Sequence, residues 1–382
     1  MSEIPFGRPD LSDVDREAVM RVLNGFILTH GPECKSFEAE FAAFLGEGAN
    51  CVSVSSCMAA LHLAYLHFKL GPGDEVIAPA CTHVATVHAI EWVGAKPILV
   101  DPDPLTGNLT AAGIEAALTP RTKAVSLVHF VGIPCEMDAI VELCEKRDLR
   151  LVEDCAIAIG GRYKGKHVGL FGDVGTFSFY PVKHITTGEG GMFLSRHADV
   201  ATQVARLRAF GVDRTHTERS IPGMYEVPSL GLNYRMSEMQ AALGRTQTAK
   251  LPKLLAARKA NFEALKGHLA NVPGVRVLDS QTPDCVQSHY CLVAVLEGTL
   301  GPERNAIIGE LNAAGIGTSI YYPQPVPRMK YYQDKYGYAG DRYPVATQIS
   351  DHSIALPVGP HLQVSQMEEI AAGLRAAVTR RL

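Results

Sequence analysis

The chain has 382 residues, 47% hydrophobic and 20% charged, with a formal net charge of −4, a balance that excludes a disordered protein and offers no concentrated positive field for nucleic acid or anionic lipid. No apolar run approaches the ~18 residues of a membrane span, the start MSEIPFGRPDLSDVD lacks the basic and apolar runs of a signal peptide, and the nine cysteines show no CxxC pair or metal-ligand spacing. A cytoplasmic protein with reduced thiols is expected, without a nucleic-acid or membrane partner, and the length suggests one large domain and one smaller.

In chain order, apolar residues at helical spacing predict helices over 13–23 and 35–45. From Cys51 the texture changes. Short apolar runs CVSVSS (51–56), EVIAP (75–79), KPILV (96–100), KAVSLVH (123–129) and RLVE (150–153) alternate with amphipathic stretches such as 58–68. Turn signals fall between them: GPGD at 71–74, DPDP at 101–104 and VGIP at 131–134. This alternation predicts an α/β fold with a mostly parallel sheet, its strands apolar at consecutive positions because both faces are covered. A long helix is predicted over 246–271, strands at 275–277, 290–295 and 317–322, and a closing helix over 365–381. Residues 1–245, including the N-terminal helical segment, are expected to form a large domain, and 250–382 a smaller α+β C-terminal domain.

Three residues stand out chemically. Asp154 ends the run RLVED, and strand ends of parallel sheets point into ligand clefts. Ser178 and Lys183 lie in SFYPVKHITTGEGG (178–191), which joins an aromatic run to a glycine-rich turn. Amine, carboxylate and hydroxyl together are what pyridoxal phosphate requires: an amine for its aldehyde, an acid to keep its ring nitrogen protonated, and donors for its phosphate. Loop lysines and helix-capping aspartates are common, however, so this spacing alone leaves structural roles open.

Eight ordered stretches go further. GPECKSFEAEFAAFLG (31–46), AALHLA (59–64), LGPGDEVIAPACTHVATVHAI (70–90), LTPRTKAVSLVHFVG (118–132), VEDCAIAIG (152–160), the lysine stretch, LGLNYRMSEMQAALG (230–244) and ALPVGPHL (355–362) together resemble the DegT/DnrJ/EryC1/StrS sugar aminotransferase family of fold-type I pyridoxal phosphate enzymes. The resemblance implies that Lys183 is the Schiff-base lysine, Asp154 the partner of the pyridine nitrogen and Ser178 a phosphate ligand. The backbone at Cys57 and Met58 would add N–H groups to the phosphate, and His83 would stack on the cofactor. Asn233, with Arg235 close by, would reach the phosphate of a neighbouring subunit, which implies a homodimer with shared sites. Tyr321 is placed to face the sugar, and His184 and Glu189 are candidates for substrate contact or for holding the lysine loop.

The implied reaction moves an amino group from L-glutamate to a nucleotide-linked 3- or 4-keto sugar, making an amino sugar for polysaccharides or glycosylated natural products. Some relatives that dehydrate deoxysugars carry His in place of the lysine. The register of FYPVKHITTGEGG keeps Lys183 there, which favours amino transfer over two alternatives, a sugar dehydratase and a non-catalytic regulatory relative. The chain departs from the usual pattern at Cys57-Met58 (for Gly-Thr), Ile157 (for Gln or His), His83 (for a larger aromatic) and Tyr321 (for His). The loop VDRTHTERSIPGMYEVP (212–228) is expected to read the substrate.

Overall fold

The computed structural model describes residues 3–213, 221, 223–338 and 342–382. Helices α1 (Asp13–Leu23) and α2 (Pro32–Leu45) precede strand β1 (Asn50–Val54). Ser12 and Asp15 form a reciprocal cap at the start of α1. The alternating region then runs α3 (Cys57–His67), β2 (Glu75–Pro79), α4 (Val84–Trp92), β3 (Lys96–Val100), α5 (Ala111–Ala116), β4 (Thr122–Val128), α6 (Met137–Lys146) and β5 (Arg150–Asp154). A small hairpin, β6 (Arg162–Tyr163) and β7 (Lys166–His167), leads to β8 (Val174–Ser178), β9 (Gly191–Ser195) and α7 (Ala198–Leu207).

The central seven-stranded sheet has the order β1-β9-β8-β5-β4-β2-β3. Strands β3, β2, β4, β5 and β8 pair in parallel, and β9 runs antiparallel between β8 and β1. The carboxyl ends of β1, β2, β4, β5 and β8 therefore share one edge. Every residue of β2, β8 and β9 is buried, as a sheet covered on both faces requires.

Helix α8 (Glu238–Leu269) leads into β10 (Val275–Val277), β11 (Cys285–Val286), β12 (Leu292–Leu296), α9 (Arg304–Ala313), α10 (Lys330–Tyr336), α11 (Pro344–His352), β13 (Ser353–Leu356) and α12 (Gln366–Thr379). Residues 245–250, expected as a junction, lie inside α8, which runs on through Pro252. An antiparallel sheet, β10-β12-β13, shares its own core with Phe262, Leu265 and Leu269 of α8 and Leu374 of α12. Ile4 joins this core from the other end of the chain, its N–H donating to the Gly315 carbonyl (2.8 Å). Strand β11 pairs with β6, tying the C-terminal segment to the parallel region.

The strand expected at 317–322 does not form. Gly317 N–H goes to the Ile4 carbonyl, and Ser319 exchanges bonds with Ala355. Each neighbour offers a single pairing, so no ladder extends. Among the described residues, no helix is long and apolar enough to cross a membrane. The nine cysteines are unpaired, and all but Cys51 are buried.

Candidate active site

The shared carboxyl edge gathers most of the residues singled out in the sequence. Asp154, the last residue of β5, is 5% exposed. Its Oδ2 accepts a hydrogen bond from Thr86 Oγ1 (2.8 Å) and its Oδ1 one from the Ala156 N–H (3.0 Å). The Cys57 thiol lies 3.8 Å from Oδ1 and 3.5 Å from Thr176 Oγ1. Burial and the nearby Asp154 charge push the Cys57 thiol well above its usual pKa, so it remains protonated.

Cys57 and Met58 open α3, where Ser56 caps the Ala59 N–H. The first amides of a helix have no partner within it and form a site for an anion. Gly191 on β9 brings this end close: a Cβ there would stand 2.4 Å from the Ser56 carbonyl carbon and 2.5 Å from the Cys57 nitrogen. Only glycine allows that approach.

Ser178 is buried at the end of β8, and its Oγ accepts from the Tyr180 N–H (3.4 Å). The loop that follows closes on itself through Phe179 N–H to Gly190 O and Thr187 N–H to Phe179 O, both 2.9 Å. Lys183 lies in this loop with its Nζ 5.4 Å from the centre of the Tyr290 ring. Burial lowers its pKa below the ordinary lysine value, and the Asp154 carboxylate only partly opposes this. A lysine with a depressed pKa is a better nucleophile at neutral pH.

His83 caps α4, its Nδ1 accepting from the Ala85 N–H (3.2 Å), and its ring meets Tyr322 edge-on at 5.6 Å. The Tyr321 hydroxyl pairs with the Tyr290 hydroxyl at 2.8 Å. Two loop residues are turned away from this edge. His184 is 3% exposed and its Nε2 meets the Ser288 carbonyl (3.0 Å), so it fastens the lysine loop to the C-terminal segment. Glu189 presents its carboxylate to solvent, while its backbone carbonyl accepts from Gln240 Nε2 (2.6 Å) and Thr187 Oγ1 (2.7 Å). Ile157 is buried, and its contribution is a carbonyl that accepts from Ser288 Oγ (2.8 Å).

Asn233 and Arg235 flank Tyr234, whose carbonyl accepts from the Ser55 N–H (2.9 Å), two residues before α3. Asn233 is exposed and bridges to Ala209. The Arg235 guanidinium stacks over Phe210 at 4.8 Å and donates to His30 Nε2 (3.0 Å). A cavity of about 770 Å³ opens beside Arg235, Phe210 and Leu230, and none of Lys183, Asp154, Ser178 or His83 lines it. Of the expected substrate loop, residues 214–220 and 222 lie outside the described residues.

Thr86, Tyr290 and Arg258 went unnoticed in the sequence. Thr86 carried a faint signal, a polar residue one helical turn after His83 in the first turn of α4. Tyr290 read only as a strand residue, and Arg258 as one more cation on a long helix. The ligand atoms of His129, Glu153 and Cys155 lie within 4.8 Å of one another, as at a metal site. Glu153 already accepts from His129 Nε2 and the amides of Gly169, Phe171 and Gly172 (2.7–3.0 Å). Burial alone would raise its pKa, but His129 and these N–H groups reverse the shift. The cluster is a clamp under β5 whose carboxylate is already fully used.

The signature of the DegT/DnrJ/EryC1/StrS aminotransferase family matches residues 9–375. The chain belongs to that family. It is therefore an aminotransferase, and members of the family are pyridoxal phosphate enzymes. The donor set fits that cofactor: a half-buried amine, a buried carboxylate, a hydroxyl and a helix N-terminus meet on one edge, with Cys57 thiol and Thr86 hydroxyl crowding the carboxylate.

The chain is 36% identical to the erythromycin biosynthesis sensory transduction protein EryC1 of Saccharopolyspora erythraea, over 96% of this chain and 95% of that protein. It is also 36% identical to the UDP-N-acetyl-3-dehydro-alpha-D-glucosamine 3-aminotransferase of Acidithiobacillus ferrooxidans, over 96% and 94% of the two chains. Among solved structures it resembles S. venezuelae DesV with a TM-score of 0.90 at 32% identity, over 99% of both chains. These likenesses make this family member a sugar aminotransferase.

Proposed function

We propose that this aminotransferase takes an amino group from L-glutamate and passes it to a nucleotide-linked keto sugar, reacting at carbon 3 or carbon 4. The observation that carries this reading is the Lys183 amine, held half-buried beside the Asp154 carboxylate at the carboxyl edge of the sheet. The likeness to an enzyme that aminates a UDP-linked 3-keto sugar supports the sugar-nucleotide class.

Pyridoxal phosphate, when bound, supplies an electron sink for the charge that develops at the substrate carbon. In this reading Lys183 would hold the cofactor through its Nζ, and the same amine, when free, would take and return the proton of the substrate carbon. Asp154, steadied by Thr86 and Ala156, keeps a proton on the pyridine nitrogen. Ser178 and the first amides of α3 at Cys57 and Met58 hold the phosphate. His83 covers one face of the ring, while His184 fixes the loop that carries the lysine. Tyr321 lies beside the sugar.

The shared dimer site belongs to the same proposal. The family resemblance assigns Asn233 and Arg235 to the phosphate of a neighbouring subunit. Leu230, three residues before Asn233, is 93% exposed, as an apolar side chain covered by a second copy would be in the single chain.

The EryC1 likeness favours one rival, a regulatory protein on the same scaffold, and the intact Lys183 and Asp154 speak against it. The test is direct. Purified enzyme is mixed with L-glutamate and a panel of UDP-, TDP- and GDP-linked 3-keto and 4-keto sugars, and products are read by mass. An amino sugar and stoichiometric 2-oxoglutarate are expected. A deoxysugar with ammonia would establish dehydration instead, and no conversion of the bound cofactor by L-glutamate or by any other common amino acid would establish the regulatory reading.

A further inference from the structure

Arg258 is buried, 7% exposed, on α8. Its Nη1 donates to the Tyr290 carbonyl (2.8 Å), its Nε has no partner, and among the described residues no carboxylate pairs with it. Next to it the buried Nδ1 of His184 is also unpartnered, and no acidic side chain faces the guanidinium from the lysine loop or from the segment around Tyr290. A desolvated cation without a counter-ion is costly, and proteins normally pair it or leave it for a ligand. The planar fork of a guanidinium fits a carboxylate with two parallel hydrogen bonds.

The position of this cation is informative. The Tyr290 ring packs against both the Lys183 amine, at 5.4 Å, and the Arg258 guanidinium, at 5.9 Å. An amino acid whose nitrogen reacts where Lys183 sits thus has a buried, unmatched cation one aromatic ring away. A sugar nucleotide carries its charge on the diphosphate, far from the reacting carbon. The amino-acid donor carries a carboxylate on the reacting carbon itself and, in glutamate, a second one nearby.

We propose that Arg258 is the carboxylate anchor for the amino-acid donor and for the 2-oxo acid that leaves. This rests on the aminotransferase reading above. It also explains how one site serves two dissimilar substrates in turn: the donor is held through Arg258, and the keto sugar uses the remainder of the site without that contact.

The probe is succinate, a dicarboxylate without an amine, titrated calorimetrically into the cofactor-loaded enzyme. Arg258→Gln is expected to weaken succinate binding by about 10- to 100-fold, the range for a lost charge-assisted contact. Arg258→Lys keeps a cation near the Tyr290 carbonyl and is expected to lose less. In single-turnover experiments both variants raise the concentration of L-glutamate needed for the first half-reaction, while the second, with keto sugar, stays near the wild-type rate. Comparing L-alanine with L-glutamate shows which carboxylate is held. Unchanged succinate affinity in Arg258→Gln would overturn the proposal, and so would equal slowing of both half-reactions, which is what mere displacement of Tyr290 produces. The succinate readout needs no turnover. If L-glutamate is not the donor, the wild type is inert to it while succinate binding still depends on Arg258.

Discussion

Asp154 accepts from Thr86 on one oxygen and from Ala156 on the other, so its position is set by a helix and a turn as well as by its own strand. Both contacts hold the carboxylate in one orientation, which a pyridine nitrogen opposite it would need. Asp154→Asn is expected to leave the cofactor bound but to slow the proton-abstraction step by orders of magnitude, read in single-turnover kinetics with L-glutamate; a wild-type rate would rule out the pyridinium role. Thr86→Val removes one of the two donors and keeps the volume of the side chain. A loss of about 10-fold in kcat with little change in KM is expected, the size of one hydrogen bond to a charged group. Loss of folding without a separable effect on kcat would make Thr86 a packing residue only.

At the scale of elements, the site depends on how closely neighbouring pieces approach. Strand β9 can lie against the start of α3 only because Gly191 has no side chain. Gly191→Ala pushes backbone against backbone, so a loss of about 1–3 kcal/mol in stability and a weaker hold on the cofactor should appear together in thermal melts and cofactor titrations. The hairpin that carries β7 has a different sensitivity. His167 is fully buried, its Nε2 accepting from the Gly160 N–H (2.8 Å) and its Nδ1 bonding the Val168 carbonyl (2.6 Å). Burial lowers its pKa from the usual 6.5 to about 4, and His289 is lowered to about 4 in the same way. Between those limits the unfolded chain binds more protons than the folded one, so stability is present above pH ~6.5 and falls as the pH drops toward 4. Each histidine contributes up to ~1.4 kcal/mol per pH unit. His167→Gln should flatten that slope in melts from pH 7.5 to 4.5, and an unchanged slope would remove His167 from the account.

For the whole molecule, the proposed sharing of sites between two copies makes a prediction no single-chain function can meet. Lys183→Ala and Asn233→Ala are each expected to be nearly inactive alone. Unfolded together and refolded, they form mixed dimers in which one site keeps both Lys183 and the other chain's Asn233. Recovery of up to about a quarter of wild-type activity is expected from random pairing. No recovery, with dimers present by light scattering, would place Asn233 in the site of its own chain. The exposed Phe26 and Leu230 should become protected in the same dimer, as read by hydrogen exchange of the segments around them.

Much was legible before any coordinates. The βα alternation from β1 to β5 followed from local apolar runs and turn residues, and strands at 75–79, 96–100 and 275–277 fall where periodicity placed them. Lys183, Asp154 and Ser178 carried a weak signal by spacing alone, since loop lysines and helix-capping aspartates are common, and it was the family pattern, ordered along the chain, that singled them out. The expected strand at 317–322 failed because its partners, Ile4 and Ala355, come from opposite ends of the chain and each pairs with it only once. For the same reason the sequence could not show that Thr86 bonds Asp154, that His184 turns inward to Ser288, or that Arg258 lies buried without a counter-charge beside Tyr290. Fold class and cofactor chemistry rest on local patterns, which a sequence carries openly. Which buried group lacks a partner depends on contacts between residues far apart in the chain, and only the tertiary structure decides those.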